Sequence, residues 1–297
     1  MPIPASYLSA ILSLVAVAMW GTSDFLGGVG VRRAQTFLFT TLVHVVAMVF
    51  AGTLAFILGF PAPDASAVFW SLAAGAVGGF GVALFYRALA IGKMGLIAPL
   101  SAVLAAGIAT VVAAVTEGLP DLRHLAGFLL AGIGVWLISR SESKNGVTGA
   151  PPVQNETQPR ESRPKGLGLA ILAGCGFAGF FLCVHRAGNG SALWIALFSR
   201  LGSFTVTLAA AFIGRELRTV PRSVLGIAAA TGILDVTGTI VFVRASQIGR
   251  LDAAVVLSSL YPAVTVILAS VFLHERFSRT RTIGMLAALA AVPMIAG

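Results

Sequence analysis

The chain has 297 residues, of which 57% are hydrophobic and only 10% charged, and its mean hydropathy is +0.94. Soluble domains carry about a quarter of charged residues, and a globule of this length cannot hide so much apolar side chain. The composition predicts an integral membrane protein and excludes soluble multidomain enzymes, disordered chains and disulfide scaffolds. The net charge of +9, from 20 Lys and Arg against 11 Asp and Glu, falls between apolar segments without interleaved aromatics. That pattern points to topology signalling and anionic lipid headgroups, not to nucleic acid.

A helix needs about 20 mostly apolar residues to cross a bilayer core. Ten segments meet this: 6–29, 35–59, 67–91, 95–116, 122–139, 167–187, 192–214, 224–246, 251–273 and 281–297. The first has no basic flank and is too long for a signal segment, so it reads as a retained helix. Residues 140–166 are polar and rich in Pro, Ser and Glu, and read as a flexible linker between two five-helix halves, 1–139 and 167–297. The third segment carries Gly75, Gly78, Gly79 and Gly81, and the first ends with Gly27, Gly28 and Gly30. Such glycines either let helix backbones approach closely or form a sliding surface. Cys175 and Cys183 lie about 12 Å apart along one helix, too far for a bridge, and read as small buried apolar residues.

Sliding the chain against itself gives an offset of 153 to 158 residues. Phe85-Tyr86-Arg87-Ala88, with Ile91-Gly92-Lys93, matches Phe242-Val243-Arg244-Ala245, with Ile248-Gly249-Arg250. His44 matches Arg200, Gly21 matches Gly176, Ser101 matches Ser258, and Glu117 matches Glu275. Five helices per half is an odd number, so the second half enters the membrane from the opposite side. An inverted repeat of this kind is a signature of secondary transporters with a midplane site between the halves. Pro99 and Pro262 fall in corresponding segments, and each frees a backbone carbonyl. They read as helix breaks lining a cavity or as plain kinks.

Ionisable groups within a span are functional candidates by default. Asp235 lies near mid-depth of the eighth segment, and its repeat mate is Gly78. It reads as a proton or substrate-amine site, or as an acid hydrogen-bonded to a neighbouring helix. Asp24 follows Trp20 by one helical turn, so the two share a face. Indole beside carboxylate can receive an ammonium or aromatic ligand. Alternatively the indole packs between helices and the aspartate bonds an arginine. His44 and Arg200 read as braces or snorkelling groups, with a substrate role as the other possibility. Arg87 and Arg244 read as anchors or partners of Glu117, Glu275 or an aspartate. Glu117 and Glu275 read as loop braces. Tyr86, Ser101, Ser258 and Tyr261 can offer hydroxyls to a polar ligand.

The pattern resembles the EamA-type carriers of the drug/metabolite transporter superfamily. Trp20-Gly21, Phe85-Tyr86-Arg87-Ala88-Leu89 with Gly92, Pro99-Leu100 and Glu117 before Gly127 carry the likeness in the first half. Arg244-Ala245, Gly249, Tyr261-Pro262, Glu275 and Gly284 repeat it in the second. The resemblance covers all but the linker. It implies an all-α membrane fold of ten helices around a central cavity, and outward transport of amino acids or related small metabolites. A nucleotide-sugar or lipid-linked substrate carrier is the alternative on the same scaffold. The partners expected are the small-molecule substrate, protons and membrane lipids, with a functional monomer, and no nucleic acid or cofactor.

Enzyme chemistry finds no support in the sequence. Gly21-Thr22-Ser23 with a distant His44 lacks the strained nucleophile turn, and His274-Glu275 lacks a second histidine for a metal motif. Fourteen Lys and Arg lie in the loops after segments 1, 3, 5, 7 and 9, against Arg123, Arg186 and Arg250 in the others. That bias places the odd loops and linker in the cytoplasm and both termini outside an inner membrane, whereas members of the resembled family are commonly drawn with termini inside.

Overall fold

The computed structural model of the protein describes residues 4–92, 94–116, 118–139, 166–216, 220–273 and 279–296, and among these every regular element is helical. The helices are α1 (Ala5–Gly30), α2 (Thr36–Ile57), α3 (Ala65–Ile91), α4 (Met94–Thr116), α5 (Leu122–Ser139), α6 (Leu167–Arg186), α7 (Ala192–Ile213), α8 (Arg222–Ile248), α9 (Leu251–Ser258), α10 (Tyr261–Leu273) and α11 (Arg279–Ala296). Seven described segments are long and apolar enough to cross a membrane, with Leu251–Phe272 counted as one, and α4 and α5 add shorter apolar stretches. The protein is a multi-pass membrane protein. The linker proposed at 140–166 lies outside the described residues except for Gly166.

The ninth predicted segment is broken next to Pro262. Helix α9 ends at Ser258, Ser259 and Leu260 form a turn, and α10 starts at Tyr261. Pro262 has no N–H for the Ser258 carbonyl, and its ring disfavours helical backbone in the residue before it. As the second residue of α10, Pro262 is placed where a missing N–H does no harm. Its counterpart Pro99 makes no break, because α4 runs unbroken from Met94 to Thr116. Matching prolines therefore give unmatched helices.

The ends of the helices sort onto two faces. On one, Trp194 at the start of α7 donates to the Phe60 carbonyl after α2 (3.1 Å), and Arg186 at the end of α6 lies 5.9 Å over the Trp70 ring near the start of α3. There too Gln247 donates to Gly188 and Gly190 (3.1 and 2.9 Å), and Arg250 before α9 donates to Gly118 after α4 (3.1 Å). On the opposite face the Phe37 N–H at the start of α2 meets the Glu216 carboxylate after α7 (2.7 Å). The start of α6 meets the end of α3 there, since a Cβ on Gly166 would lie 3.3 Å from the Ala88 carbonyl.

Packing between the halves follows the repeat. Helix α1 lies on α8 as α6 lies on α3, α2 faces α7, and α5 faces α11. The glycines of α3 serve close approach. A Cβ on Gly75 would run into the Ser199 backbone of α7 and one on Gly79 into Ser203, while Gly202 abuts Leu72 in return. The Ser203 hydroxyl donates to the Gly75 carbonyl across this crossing (2.8 Å). Cys175, expected to be buried, is exposed. It lies on the face of α6 opposite the one formed by Ala173, Gly176 and Phe180, which pack inward.

The crossing gives a testable contrast. Gly75→Val forces two backbones apart, and overpacking of this kind costs about 3 kcal/mol or more, read as a melting temperature lowered by several degrees in detergent. A Cβ on Gly107 meets nothing within 4 Å, so Gly107→Ala stays within about 1 kcal/mol of the parent protein. Equal melting of the two variants would contradict the packing role of Gly75.

Candidate functional site: a polar cavity at mid-depth

Asp235 is the central residue of the 27-residue α8, and a carboxylate at that depth needs a cation beside it. Arg200 of α7 supplies one. Its Nε lies 3.2 Å from Oδ2 of Asp235, and its Nη2 donates to Oδ1 at 3.3 Å. Both residues are buried, with 3% and 6% of their surface exposed. The same Nη2 donates to the Thr239 hydroxyl, which donates to the Asp235 carbonyl (3.0 Å). The indole N–H of Trp20 donates to that carbonyl as well (3.1 Å). Its ring packs against Phe180, Phe181 and Phe242, with centroids 5.3 to 6.5 Å apart. A Cβ on Gly238 would lie 2.7 Å from the indole, so the glycine makes room for it.

These groups border a narrow cavity of about 60 Å³. Trp20 and Asp24 line it from α1, Phe177, Phe180 and Phe181 from α6, and Arg200, Asp235 and Thr239 from α7 and α8. Ser259 and Tyr261 close it at the α9–α10 break. Asp24 has no hydrogen bond or ion pair among the described residues, so the arginine partner weighed for it is not there. The Tyr261 hydroxyl is buried and also unpartnered. Counted in their ionised forms, Asp24, Asp235 and Arg200 of the lining sum to one negative charge.

Three pairs of repeat mates meet in this cavity at the 157-residue offset. Gly78 faces it with Asp235, Val82 with Thr239, and Ala102 with Ser259. In each pair the second half brings the polar residue and the first half an apolar one.

The remaining candidates lie elsewhere. Tyr86 is buried with its ring against Gly27 and its hydroxyl beside Ser23. The Ser101 hydroxyl donates to the Ala170 carbonyl (2.9 Å) and ties α4 to α6. Ser258 is buried with an unpartnered hydroxyl, one residue from the cavity lining. Pro262 is not among the described residues of the lining, and the side chain of Pro99 lies outside the described ones. His44 is fully buried, with neither ring nitrogen hydrogen-bonded, within electrostatic range of Arg200. Arg87 and Arg244 are exposed. Arg244 donates to Gln247 (3.4 Å), and neither makes an ion pair among the described residues. Glu117 and Glu275 lie outside those residues. No cluster of His, Cys, Asp or Glu able to hold a metal occurs among them.

Sequence reasoning passed over Thr239, Ser259 and the α6 phenylalanines, and it rated Arg200 as a brace. The signals were present: Thr239 lies one turn from Asp235, and Phe177 and Phe181 recur at helical spacing.

A second, wider cavity of about 560 Å³ opens at the face where α1 and α9 begin and α6 and α8 end. Ser9, His124, His185, Gln247 and Leu257 border it. Leu257 and Ser259 are two residues apart, so the α9–α10 break separates this vestibule from the central cavity.

The Arg200–Asp235 pair predicts a strongly coupled mutant cycle. Arg200→Met and Asp235→Leu each leave an unpaired buried charge and destabilise by about 3–5 kcal/mol. The double variant regains most of that loss in thermal melting. Additive losses in the double variant would show that the two side chains do not act as a pair.

Comparison with known proteins accords with this architecture. One solved structure, titled only as the crystal structure of a protein, superposes with a TM-score of 0.72 over 96% of this chain and 95% of its own, at 16% identity. That likeness speaks to the fold alone. Among curated proteins none matches the chain. The family described as the EamA-like transporter family matches twice, over residues 7–140 and again over 164–297. By this match across both halves, the chain belongs to the EamA-like transporter family, within the drug/metabolite transporter superfamily.

Proposed function

We propose that the protein is a secondary transporter that carries small amine-bearing metabolites, amino acids and their derivatives, outward across the inner membrane by alternating access. The observation that carries this reading is the mid-depth cavity between the two halves. An otherwise apolar wall there holds an unpartnered carboxylate and a neutralised ion pair. The sorting of helix ends onto two faces supports ten crossings, with α9 and α10 sharing one, and supports opposite orientation of the halves 1–139 and 167–297. Two halves of similar build in opposite orientation can exchange conformations at similar energy, which gives inward-open and outward-open states. Both are present in one chain, so a monomer suffices. The charge bias of the loops supports an outward position for the face bearing the vestibule.

A nucleotide sugar or a phosphorylated lipid-linked substrate fits this cavity less well. Such ligands bring negative charge to a lining that already sums to one negative charge, with its single arginine engaged by Asp235. The lining serves to bind and release a ligand, and the family is one of transporters and not of enzymes. Asp24 and Asp235 are the candidates for coupling to protons.

The test is flux into proteoliposomes holding purified protein, with a panel of labelled amino acids and their amine and amide derivatives, with and without a pH gradient. Saturable flux of at least one panel member is expected. Val82→Trp fills the cavity and lowers that flux more than about tenfold, a barrier change near 1.4 kcal/mol or above, with melting close to the parent protein. A gradient response that disappears in Asp235→Asn assigns coupling to that carboxylate. Absence of saturable flux across the panel, or full flux in a folded Val82→Trp protein, would overturn the reading.

A further inference from the structure

The charges and partners of the central cavity carry the reading further, to the form of amine it selects. Arg200 is engaged twice by Asp235 and once by Thr239, so its charge is neutralised within the protein. Asp24 has no such partner, and it shares the lining with Trp20, Phe180, Phe181 and the unpartnered Tyr261 hydroxyl. Tyr261 is 5% exposed, and its hydroxyl has no hydrogen-bond partner among the described residues. An unpaired carboxylate among aromatic rings is the setting that binds ammonium groups, by charge and by the negative faces of the rings.

The sum of charges decides which ammonium. A ligand with one positive charge pairs with Asp24 in its ionised form and leaves the cavity neutral. A zwitterion leaves it at one negative charge and adds a carboxylate, which must find a cation in a narrow apolar space. Among the described lining residues the cation is Arg200, whose charge Asp235 already balances, so a ligand carboxylate there shares a guanidinium that is already neutralised and leaves its own negative charge uncompensated. Unpaired buried charge is the costly outcome. We propose that the cavity selects monocationic amines, including amino-acid amides and decarboxylated amines, over the zwitterionic amino acids themselves. Asp24 holds the ammonium, Tyr261 takes a neighbouring polar group, and the phenylalanines of α6 pack the apolar body. This inference rests on the reading of the cavity as a transport site.

The closing experiment compares three probes of one carbon skeleton: phenylalanine, phenylalaninamide and phenethylamine. Each is titrated against purified full-length protein by thermal stabilisation, and then by counterflow in proteoliposomes. The parent protein is expected to bind the two monocations at least about tenfold more tightly than phenylalanine, a difference of about 1.4 kcal/mol. Asp24→Asn removes the preference and leaves the three probes alike, Asp24→Glu restores it in part, and Tyr261→Phe weakens all three. Phenylalanine binding as tightly as its amide, or a preference unchanged in folded Asp24→Asn, overturns the proposal. If phenylalanine is also carried in counterflow, the transporter reading still stands. No stabilisation and no counterflow with any of the three probes counts against both.

Discussion

A guanidinium and a carboxylate in the middle of a helical bundle can exist there only against each other, and that requirement fixes the centre of this protein. Arg200 on α7 and Asp235 on α8 neutralise one another at a depth where water cannot do it. Thr239 takes a further donor of the guanidinium, and the Asp235 backbone carbonyl takes the hydroxyl of Thr239 and the indole of Trp20. One residue thus ties α7, α8 and α1 together through both its side chain and its main chain. The indole needs Gly238 beneath it, and the aromatic contacts of Trp20 bring in α6. Remove the charge pair and the reason for each of these neighbours weakens in turn.

Duplication explains why the cavity exists, and divergence explains why it is polar. The pairs Gly78 and Asp235, Val82 and Thr239, and Ala102 and Ser259 face one space from two halves. The first-half member stays small or apolar in every pair, and the second-half member offers oxygen. The crossings diverge in the same manner. Where α6 meets α3, Gly176 and Gly81 bring backbone to backbone. At the equivalent crossing of α1 and α8, Trp20 wedges over Gly238. The tight crossing closes one wall, and the wedged one carries Trp20 and Asp24 to the lining.

Much of this was legible from the sequence, and the limits follow from the solvent. Segment positions came from runs of apolar residues, because the bilayer sets the length of every span. Trp20 and Asp24 on one face came from helical spacing, and the depth of Asp235 from its place in a span. Arg200 escaped because its distance from the segment end suited a snorkelling side chain as well as a buried one. Only the packing of α7 against α8 separates those fates. In a bundle where every face is apolar, periodicity does not reveal which face looks inward, and this is also why Cys175 was expected to be buried. Ser101 shows the same limit at a smaller scale: its hydroxyl was foreseen, but spacing cannot show that it bonds the Ala170 carbonyl instead of facing the cavity.

The two prolines make the argument about register. Pro99 and Pro262 sit in corresponding segments, and the chemistry of each ring is identical. Pro99 lies inside a helix that has already started, whereas Pro262 lies where α10 begins and Tyr261 and Ser259 turn toward the cavity. The backbone freed there is tolerated because it borders a space between two hollows, the setting in which irregular backbone survives at membrane depth. Leu257 looks to the vestibule and Ser259 to the central cavity, so the eight-residue α9 is the wall between them. A wall built from a short helix, ended by a proline turn and tied at its start by Arg250 and Asp252 (2.9 Å), can tilt as a unit without unwinding its neighbours. The proposed alternating access needs such a wall on the vestibule side, and among the described residues it is the second half, which also supplies Asp235, Arg200 and Thr239 to the cavity, that has one.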